Sequence, residues 1–216
     1  PQPVSQNQKP DWINKVPVLN IGSGRIGYLV NSIEDIDITS LLAKTNKKYL
    51  KPRTPIIQNQ EANSPAFNEI VIIKNSPTRL LDLEIQTYEQ IVKLRADGII
   101  ISTSLGSTAY NYSAGGPIVQ TSINTLIITP ISPFTKFPRS IVLDKKSNIK
   151  IKVAKNQNYS IQFDGIESIS RISNEDEYYD YLINDFNAEV IGYSNNLHLL
   201  EKIKKKPENL KNFIPK

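Results

Sequence analysis

The chain has no cysteine and no methionine, and only one histidine and one tryptophan. Without cysteine there is no disulfide framework, no thiolate nucleophile and no cysteine zinc site. With His198 alone, neither a cysteine–histidine dyad nor a histidine-pair zinc centre can be assembled. Set among leucines near the C-terminus, His198 reads as a packing or surface residue. No apolar run approaches the roughly 18 residues that would span a bilayer. The start Pro1-Gln2-Pro3-Val4 has neither the basic flank nor the apolar stretch of a signal peptide. The expectation is a cytoplasmic protein with no membrane partner. The lack of methionine even at position 1, in a chain rich in Ile, Asn and Lys, suggests a sequence that is incomplete.

What is present is ordinary for a soluble protein: 39% hydrophobic and 22% charged residues in a chain of 216. That length suits one large domain or two joined by a hinge. The net charge is +5, and much of the excess lies in Lys202, Lys204, Lys205, Lys206 and Lys211. Aromatic residues for base stacking are sparse there, so a solvated helix end is preferred to nucleic-acid binding. A phosphorylated small molecule also suits a basic protein.

Along the chain, Val16 to Ile21 forms a short apolar strand, followed by the turn Gly22-Ser23-Gly24-Arg25-Ile26-Gly27. Ser32 and Asp35 then have capping spacing ahead of a helix ending near Lys44. Residues 1–46 therefore read as the remnant of an N-terminal α/β domain, and a lone unit of this kind implies more chain upstream. Polar, proline-bearing residues 47–65 form the expected interdomain crossing. From 66 to 194 the rhythm is one of strands. Glu69 to Ile73 is apolar, Leu83 to Gln86 alternates, and Ile149 to Val153 and Tyr159 to Phe163 alternate cleanly. Asp164-Gly165 offers a two-residue hairpin turn. The expectation is a β-sandwich-like domain. Residues 195–216, with Leu197, Leu200 and Ile203 on one stripe, are expected to be a helix and tail packing back on the first domain.

The most informative stretch runs from Arg95-Ala96-Asp97-Gly98 through the strand Ile99 to Ile101. It continues into Ser102-Thr103-Ser104-Leu105-Gly106-Ser107-Thr108-Ala109-Tyr110, and ends at Ser113-Ala114-Gly115-Gly116-Pro117. Gly106 lets the backbone bend sharply and approach a ligand, while Ser107 and Thr108 are candidates to cap a short helix. Gly115-Gly116-Pro117 ends that helix and allows another backbone to come near. Such a hydroxyl-rich turn can bind sugar hydroxyls or phosphate oxygens. It can equally be only a turn between strands.

This stretch resembles the core motif of NAD kinases, commonly Ala-Asp-Gly, then Ser-Thr-Pro-Thr-Gly-Ser-Thr-Ala-Tyr, then Ser-Ala-Gly-Gly-Pro. Other elements follow in that family's order. Gly24-Arg25-Ile26-Gly27-Tyr28-Leu29 is similar to its Gly-Arg-Leu-Gly-Phe-Leu, whose aromatic lies near adenine. Asn68-Glu69 resembles its Asn-Glu pair. Thr129-Pro130-Ile131-Ser132-Pro133-Phe134 is similar to a Thr-Pro-Ile segment that reaches an NAD held by a neighbouring subunit, and Asp164-Gly165 matches a later Asp-Gly.

The resemblance implies an NAD kinase, which phosphorylates the 2′-hydroxyl of the adenosine ribose of NAD to give NADP. ATP or polyphosphate is the implied donor, with a divalent metal, Mg2+, as cofactor. NAD and NADP are the implied ligands, and a homodimer or homotetramer the implied assembly. Asp97 would bind the nicotinamide end, Asn68 with Thr108, Ala109, Tyr110 and Ser113 the adenosine, and Glu69 a ribose. Tyr28, Ser102, Ser132, Phe134 and Asp164 complete the implied NAD-binding set. Chemically these roles are sound, since carboxylates accept ribose hydroxyl protons and an aromatic ring offers a face to adenine.

The sequence departs from the family in one major respect. The Gly-Gly-Asp-Gly-Thr motif, whose Asp acts as general base, is absent from this sequence, so the catalytic residue is unknown. Glu34, Asp35 and Asp37 on a solvated helix face do not replace it. Ser104 and Leu105 stand where Pro and a hydroxyl residue are usual, and Phe134 replaces a common His. The alternative is a catalytically inactive NAD(P)-binding sensor of the same fold. A lipid kinase of related fold and a nucleic-acid binder rank below both.

Overall fold

The computed structural model describes residues 50–53, 56–58, 65–88, 90–165, 167–173, 178–183 and 188–191. The expected first strand, the glycine turn with Tyr28, the helix carrying Glu34 to Asp37, and the C-terminal helix with His198 and the terminal lysines lie outside the described residues.

The described residues divide between two compact units. One contains the strands β1 (Leu50–Arg53) and β13 (Ala188–Ile191), which pair antiparallel with Leu50 opposite Ile191. The other spans Thr54–Phe186 and is a β-sandwich of two antiparallel sheets. Two short strands thus lie in the stretch read as the interdomain crossing, β1 and β2 (Ile56–Gln58), and they belong to different sheets.

The first sheet of the sandwich is built from β3 (Glu69–Lys74), β6 (Gly98–Thr103), β7 (Thr125–Ile131), β8 (Ile141–Asp144), β10 (Asn158–Phe163) and β11 (Glu167–Ile172). Its order is β11-β10-β3-β6-β7-β8. The second uses β4 (Leu81–Thr87), β5 (Gln90–Ala96), β9 (Ile149–Val153) and β12 (Tyr178–Ile183) together with β2, in the order β2-β12-β9-β4-β5. Alternation decides which side chains enter the core. In β9 Ile149, Ile151 and Val153 are buried while Lys150 is exposed, and in β4 Leu81, Leu83 and Ile85 are buried opposite the exposed Asp82. They meet Ile70, Ile72, Ile99, Ile101, Leu126 and Ile161 from the first sheet in one continuous core.

Central strand β6 is different, because all six of its residues are buried. Its second face, with Ile100 beside Val71 of β3, is buried as well, and a 3₁₀ turn (Gly106–Thr108) and the short helix α1 (Tyr110–Ser113) pack beside it. A strand covered on both faces reads as a solid apolar run, as Gly98-Ile99-Ile100-Ile101 does. In β7, Pro130 lies beyond the stretch 125–128 that pairs with β8, so its missing N–H disrupts no ladder on that side.

The β10–β11 hairpin differs in length from the two-residue turn suggested by Asp164-Gly165. Phe163 pairs with Glu167, so the turn is one residue longer. Asp164 and Gly165 both have positive φ, at 50° and 67°, a conformation that Asp tolerates and Gly prefers. The Asp164 side chain is committed to β3 instead of its own hairpin.

Candidate functional site

β3 begins and β6 ends at the same edge of the six-stranded sheet, where Glu69 lies opposite Ser102. The chain before β3 is drawn down by Asp164, whose Oδ2 accepts the Phe67 N–H at 2.8 Å. Its Oδ1 accepts those of Asn68 and Glu69 at 2.7 and 3.1 Å. From the other side, the Asn68 carbonyl accepts the Thr103 N–H at 2.9 Å and the Ser102 hydroxyl at 3.2 Å. Ser102 is fully buried, and its hydroxyl is also 3.0 Å from the Thr103 carbonyl, so its acceptors are backbone oxygens. Thr103 donates its hydroxyl to the Phe67 carbonyl at 2.6 Å and accepts the Gly106 N–H at 3.1 Å.

The glycine turn therefore rests on protein. A Cβ at Gly106 would collide with the Asn68 backbone, so the close approach this glycine permits is to Asn68. Ser107 and Thr108 do not cap a helix: the cap positions are Leu105 and Ala109, and neither makes a side-chain cap bond. The Ser107 hydroxyl instead donates to the Ser104 carbonyl at 2.6 Å and accepts the Val119 N–H at 3.1 Å, stitching the two ends of the loop together. Competing local hydrogen bonds of this kind are what Ser offers the backbone.

Asn111, which sequence reasoning passed over, is the anchor of α1. It is fully buried, and its amide donates to the Ser107 and Pro117 carbonyls, each at 3.0 Å, and accepts the Thr129 hydroxyl at 2.6 Å. A Cβ at Gly116 would strike this amide, so what approaches the Gly-Gly pair is a side chain rather than a second backbone. Ser107 and Asn111 are four apart, but Ala109, with ψ of −127°, breaks the helix between them, so no single helical face signals the pair.

This frame brings the Glu69 carboxyl to the Tyr110 N–H, and Thr108, Ala109 and Ser113 belong to the same turn and helix as Tyr110. Thr108 is buried, Ala109 half-buried, and Tyr110 and Ser113 exposed. Among the described residues, Glu69 is the group whose titration is most strongly shifted. Burial pushes its carboxyl up to about 7, the Asp164 charge adds to the rise, and the Tyr110 N–H opposes it. It is only 7% exposed, and its Oε2 is buried without a hydrogen-bond partner. A buried acceptor left open in this way carries a free-energy cost that a ligand donor relieves.

Asp97, Ser132 and Phe134 lie together at the opposite end of β6. The Asp97 N–H donates to the Ile131 carbonyl at 3.0 Å, and the Phe134 N–H to the Arg95 carbonyl at 2.8 Å. At a rise of about 3.3 Å per residue, Asp97 and Ser102 are about 17 Å apart along the strand. Asp97 forms an ion pair with Lys74, 2.5 Å between Oδ1 and Nζ, a partner sequence reasoning did not name. Ser132 has φ of 46°, and Phe134 is 76% exposed. The implied binding residues therefore form two groups at the two ends of one strand. Tyr28 lies outside the described residues.

Comparison with known proteins gives this arrangement its context. Residues 67–180 match the family described as ATP-NAD kinase C-terminal domain. The chain is 38% identical over 143 residues to the NAD kinase of Methanothermobacter thermautotrophicus, covering 64% of this chain and 50% of that one. It is 35% identical over 174 residues to the NAD kinase of Flavobacterium psychrophilum, covering 74% and 58%. The chain spans about half the length of the curated relatives it matches. Two solved structures share the fold at 24% identity. A crystal structure of an NAD kinase from Archaeoglobus fulgidus in complex with ATP superposes with a TM-score of 0.75 over 88% of this chain and 74% of that one. That of yeast NADH kinase complexed with NADH does so with a TM-score of 0.68, over 90% and 60%. By its family match over the sandwich, and by its identity to these relatives, the chain belongs to the NAD kinase family.

Proposed function

We propose that this chain is the dinucleotide-binding part of an NAD kinase that transfers a phosphoryl group to the 2′-hydroxyl of the adenosine ribose of NAD, giving NADP. The observation that carries this reading is the buried Glu69 carboxylate, with one unpartnered oxygen, set between Asn68 and the Tyr110 backbone. A ribose hydroxyl is a donor of the right kind for that oxygen. Asn68, Thr108, Ala109, Tyr110 and Ser113 around it hold the adenosine. Asp164 acts through the backbone of residues 67–69, as a positioning residue.

In the transfer, the ribose 2′-oxygen forms a bond to the terminal phosphorus, the bond from that phosphorus to the remaining donor phosphate breaks, and the hydroxyl proton passes to a base. Proton removal is the task of the family's Gly-Gly-Asp-Gly-Thr motif, and no described residue is assigned to it. ATP is the preferred donor, consistent with the ATP complex of the Archaeoglobus enzyme, and polyphosphate is the second candidate. Among the described residues no three His, Cys, Asp or Glu side chains converge on a metal site. Mg2+ commonly keeps several waters and binds through substrate phosphates with one or two carboxylates, and here it would supply charge neutralisation on the transferring phosphate.

Asp97, Ser132 and Phe134 lie at the other end of β6 from Glu69, outside its immediate pocket. We assign them to the nicotinamide half of an NAD held by a neighbouring subunit, in a cytoplasmic homodimer or homotetramer. The protruding Phe134 ring is a surface that such a contact covers. Incubating the full-length protein with NAD, Mg2+ and either donor tests the kinase reading. NADP is the expected product. NAD binding without NADP from any donor makes the protein an NAD(P)-binding sensor and overturns the reading.

A further inference from the structure

We propose that the sandwich carries a second anion site, a cleft for a chain of linked phosphates, at the end of β6 away from Glu69. The cleft has a volume of about 900 Å³ and lies between the loop after β3, the start of β4 and the loop before β10. Its charged lining is Arg79, Arg95 and Lys155 against the single carboxylate of Asp82. That carboxylate is already engaged, with Oδ1 at 3.3 Å from Arg95 Nε and Oδ2 accepting Gln157 Nε2 at 3.2 Å. Arg79 and Lys155 have no ion-pair partner among the described residues. The electrostatic excess in the cleft is therefore positive and uncompensated.

The walls are built before any ligand arrives. Gln157 Oε1 accepts the Asp82 N–H at 2.9 Å, and the Gln157 N–H donates to the Ser173 hydroxyl at 3.0 Å. Asn75 Nδ2 donates to Asn158 Oδ1 at 2.9 Å, tying the loop after β3 to β10. Asn156 sits at φ 59°, a left-handed conformation that Asn tolerates, and its N–H is held by the Ser173 carbonyl. A cleft fixed in this way loses little conformational entropy on binding. Its cations come from separate elements around a cleft of about 900 Å³, which is larger than a single small anion fills. A row of linked phosphates can fill it, with the guanidinium groups donating to paired phosphate oxygens and Lys155 acting as a point charge.

This chemistry is shared by the triphosphate tail of a nucleotide and by inorganic polyphosphate. The proposal goes beyond the kinase reading, because the cleft is remote from the ribose that reading phosphorylates.

The test is direct titration of the protein at low salt with inorganic tripolyphosphate and, separately, with ATP. Wild type is compared with the double variant Arg79→Gln, Lys155→Gln, whose changes fall on exposed side chains that make no described ion pair. The expected result is a loss of affinity of at least about tenfold for tripolyphosphate, ATP or both, with whichever ligand responds naming the source. Wild-type affinity also weakens as salt is raised. Phe134, assigned above to a neighbour's NAD, also lines this cleft, so NADP formation by wild type is measured in parallel and failure of the kinase reading is seen there, apart from the anion titrations. Binding of both ligands within twofold of wild type by the double variant, or no binding to wild type, overturns the proposal.

Discussion

Asp164 and Asn68 are 96 residues apart in sequence, yet the Asp164 Oδ1 accepts the Asn68 N–H at 2.7 Å, while its neighbours Phe67 and Glu69 donate to the same carboxylate. One side chain at a hairpin tip thus sets the backbone from which the Asn68-Glu69 pair projects. Replacing it with alanine strands three partly buried donors. Asp164→Ala is expected to destabilise the sandwich by about 2–4 kcal/mol, since bonds to a charged acceptor are the stronger kind. NAD affinity falls with it. Asp164→Asn, which keeps one carbonyl oxygen and tolerates the positive φ, loses less. Denaturant unfolding and NAD titration of both variants check this, and an alanine variant with wild-type stability and affinity rules the role out.

Glu69 gives a pH signature whose sign is fixed by its environment. Its folded pKa, about 7, lies above the ordinary value of 4.5, so between those values the folded protein binds the extra proton. The stability this confers is fully present below about pH 4.5 and is lost as pH rises through about 7, a change of up to about 3 kcal/mol. Glu69→Gln removes that slope and is the more stable protein at pH 8. Ligand binding runs the other way. A ribose hydroxyl donated to Oε2 favours the ionised carboxyl, so wild-type NAD affinity rises between about pH 6 and 8, and the Gln variant binds weakly at every pH. Thermal melts and NAD titrations across this range are the check, and a wild type and variant with parallel pH profiles would refute it.

Asn111 ties the turn at Ser107 to Pro117 beyond α1 and to Thr129 of β7. Asn111→Ala takes the amide donor from the Ser107 and Pro117 carbonyls and leaves the Thr129 hydroxyl with Ser140 alone, in a space with no exposed surface. A loss of about 2–4 kcal/mol is expected, with NAD affinity reduced because Thr108 to Ser113 is no longer held. Gly116→Ala drives a methyl group into the same amide and gives the same phenotype. Equal unfolding midpoints for wild type and both variants would show that the turn holds itself.

The strands named from sequence were those whose side chains obey a simple period. β3, β4, β9 and β10 alternate or run apolar because each has a defined inner face, and their cores appear where the pattern put them. β12 was not named, since its buried Tyr179 and Tyr181 alternate with Tyr178 and Asp180 in a pattern that carries little hydropathy contrast. The motif residues were legible as a resemblance, but their partners were not. That Thr103 bonds the Phe67 carbonyl and Asp97 pairs with Lys74 depends on antiparallel register between β3 and β6, which no local pattern encodes. For the same reason the separation of Asp97 from Glu69 is invisible until the strand between them is built.

That separation has a consequence for assembly. If Asp97 acts on a ligand held by the neighbouring subunit's pocket, two inactive variants can repair each other. Glu69→Gln spoils a subunit's own pocket, and Asp97→Asn spoils what it contributes to its neighbour. In a mixed dimer one site carries both lesions and the other carries neither. Full-length variants dissociated, mixed in equal amounts and reassociated should therefore recover about a quarter of wild-type NADP formation, because half of the dimers are mixed and each has one intact site. Neither variant alone recovers activity on the same treatment. If Asp97 serves the pocket of its own chain, every site in the mixture contains a lesion and the recovered activity is nil. Activity measured after mixing thus separates the two arrangements without a structure of the complex.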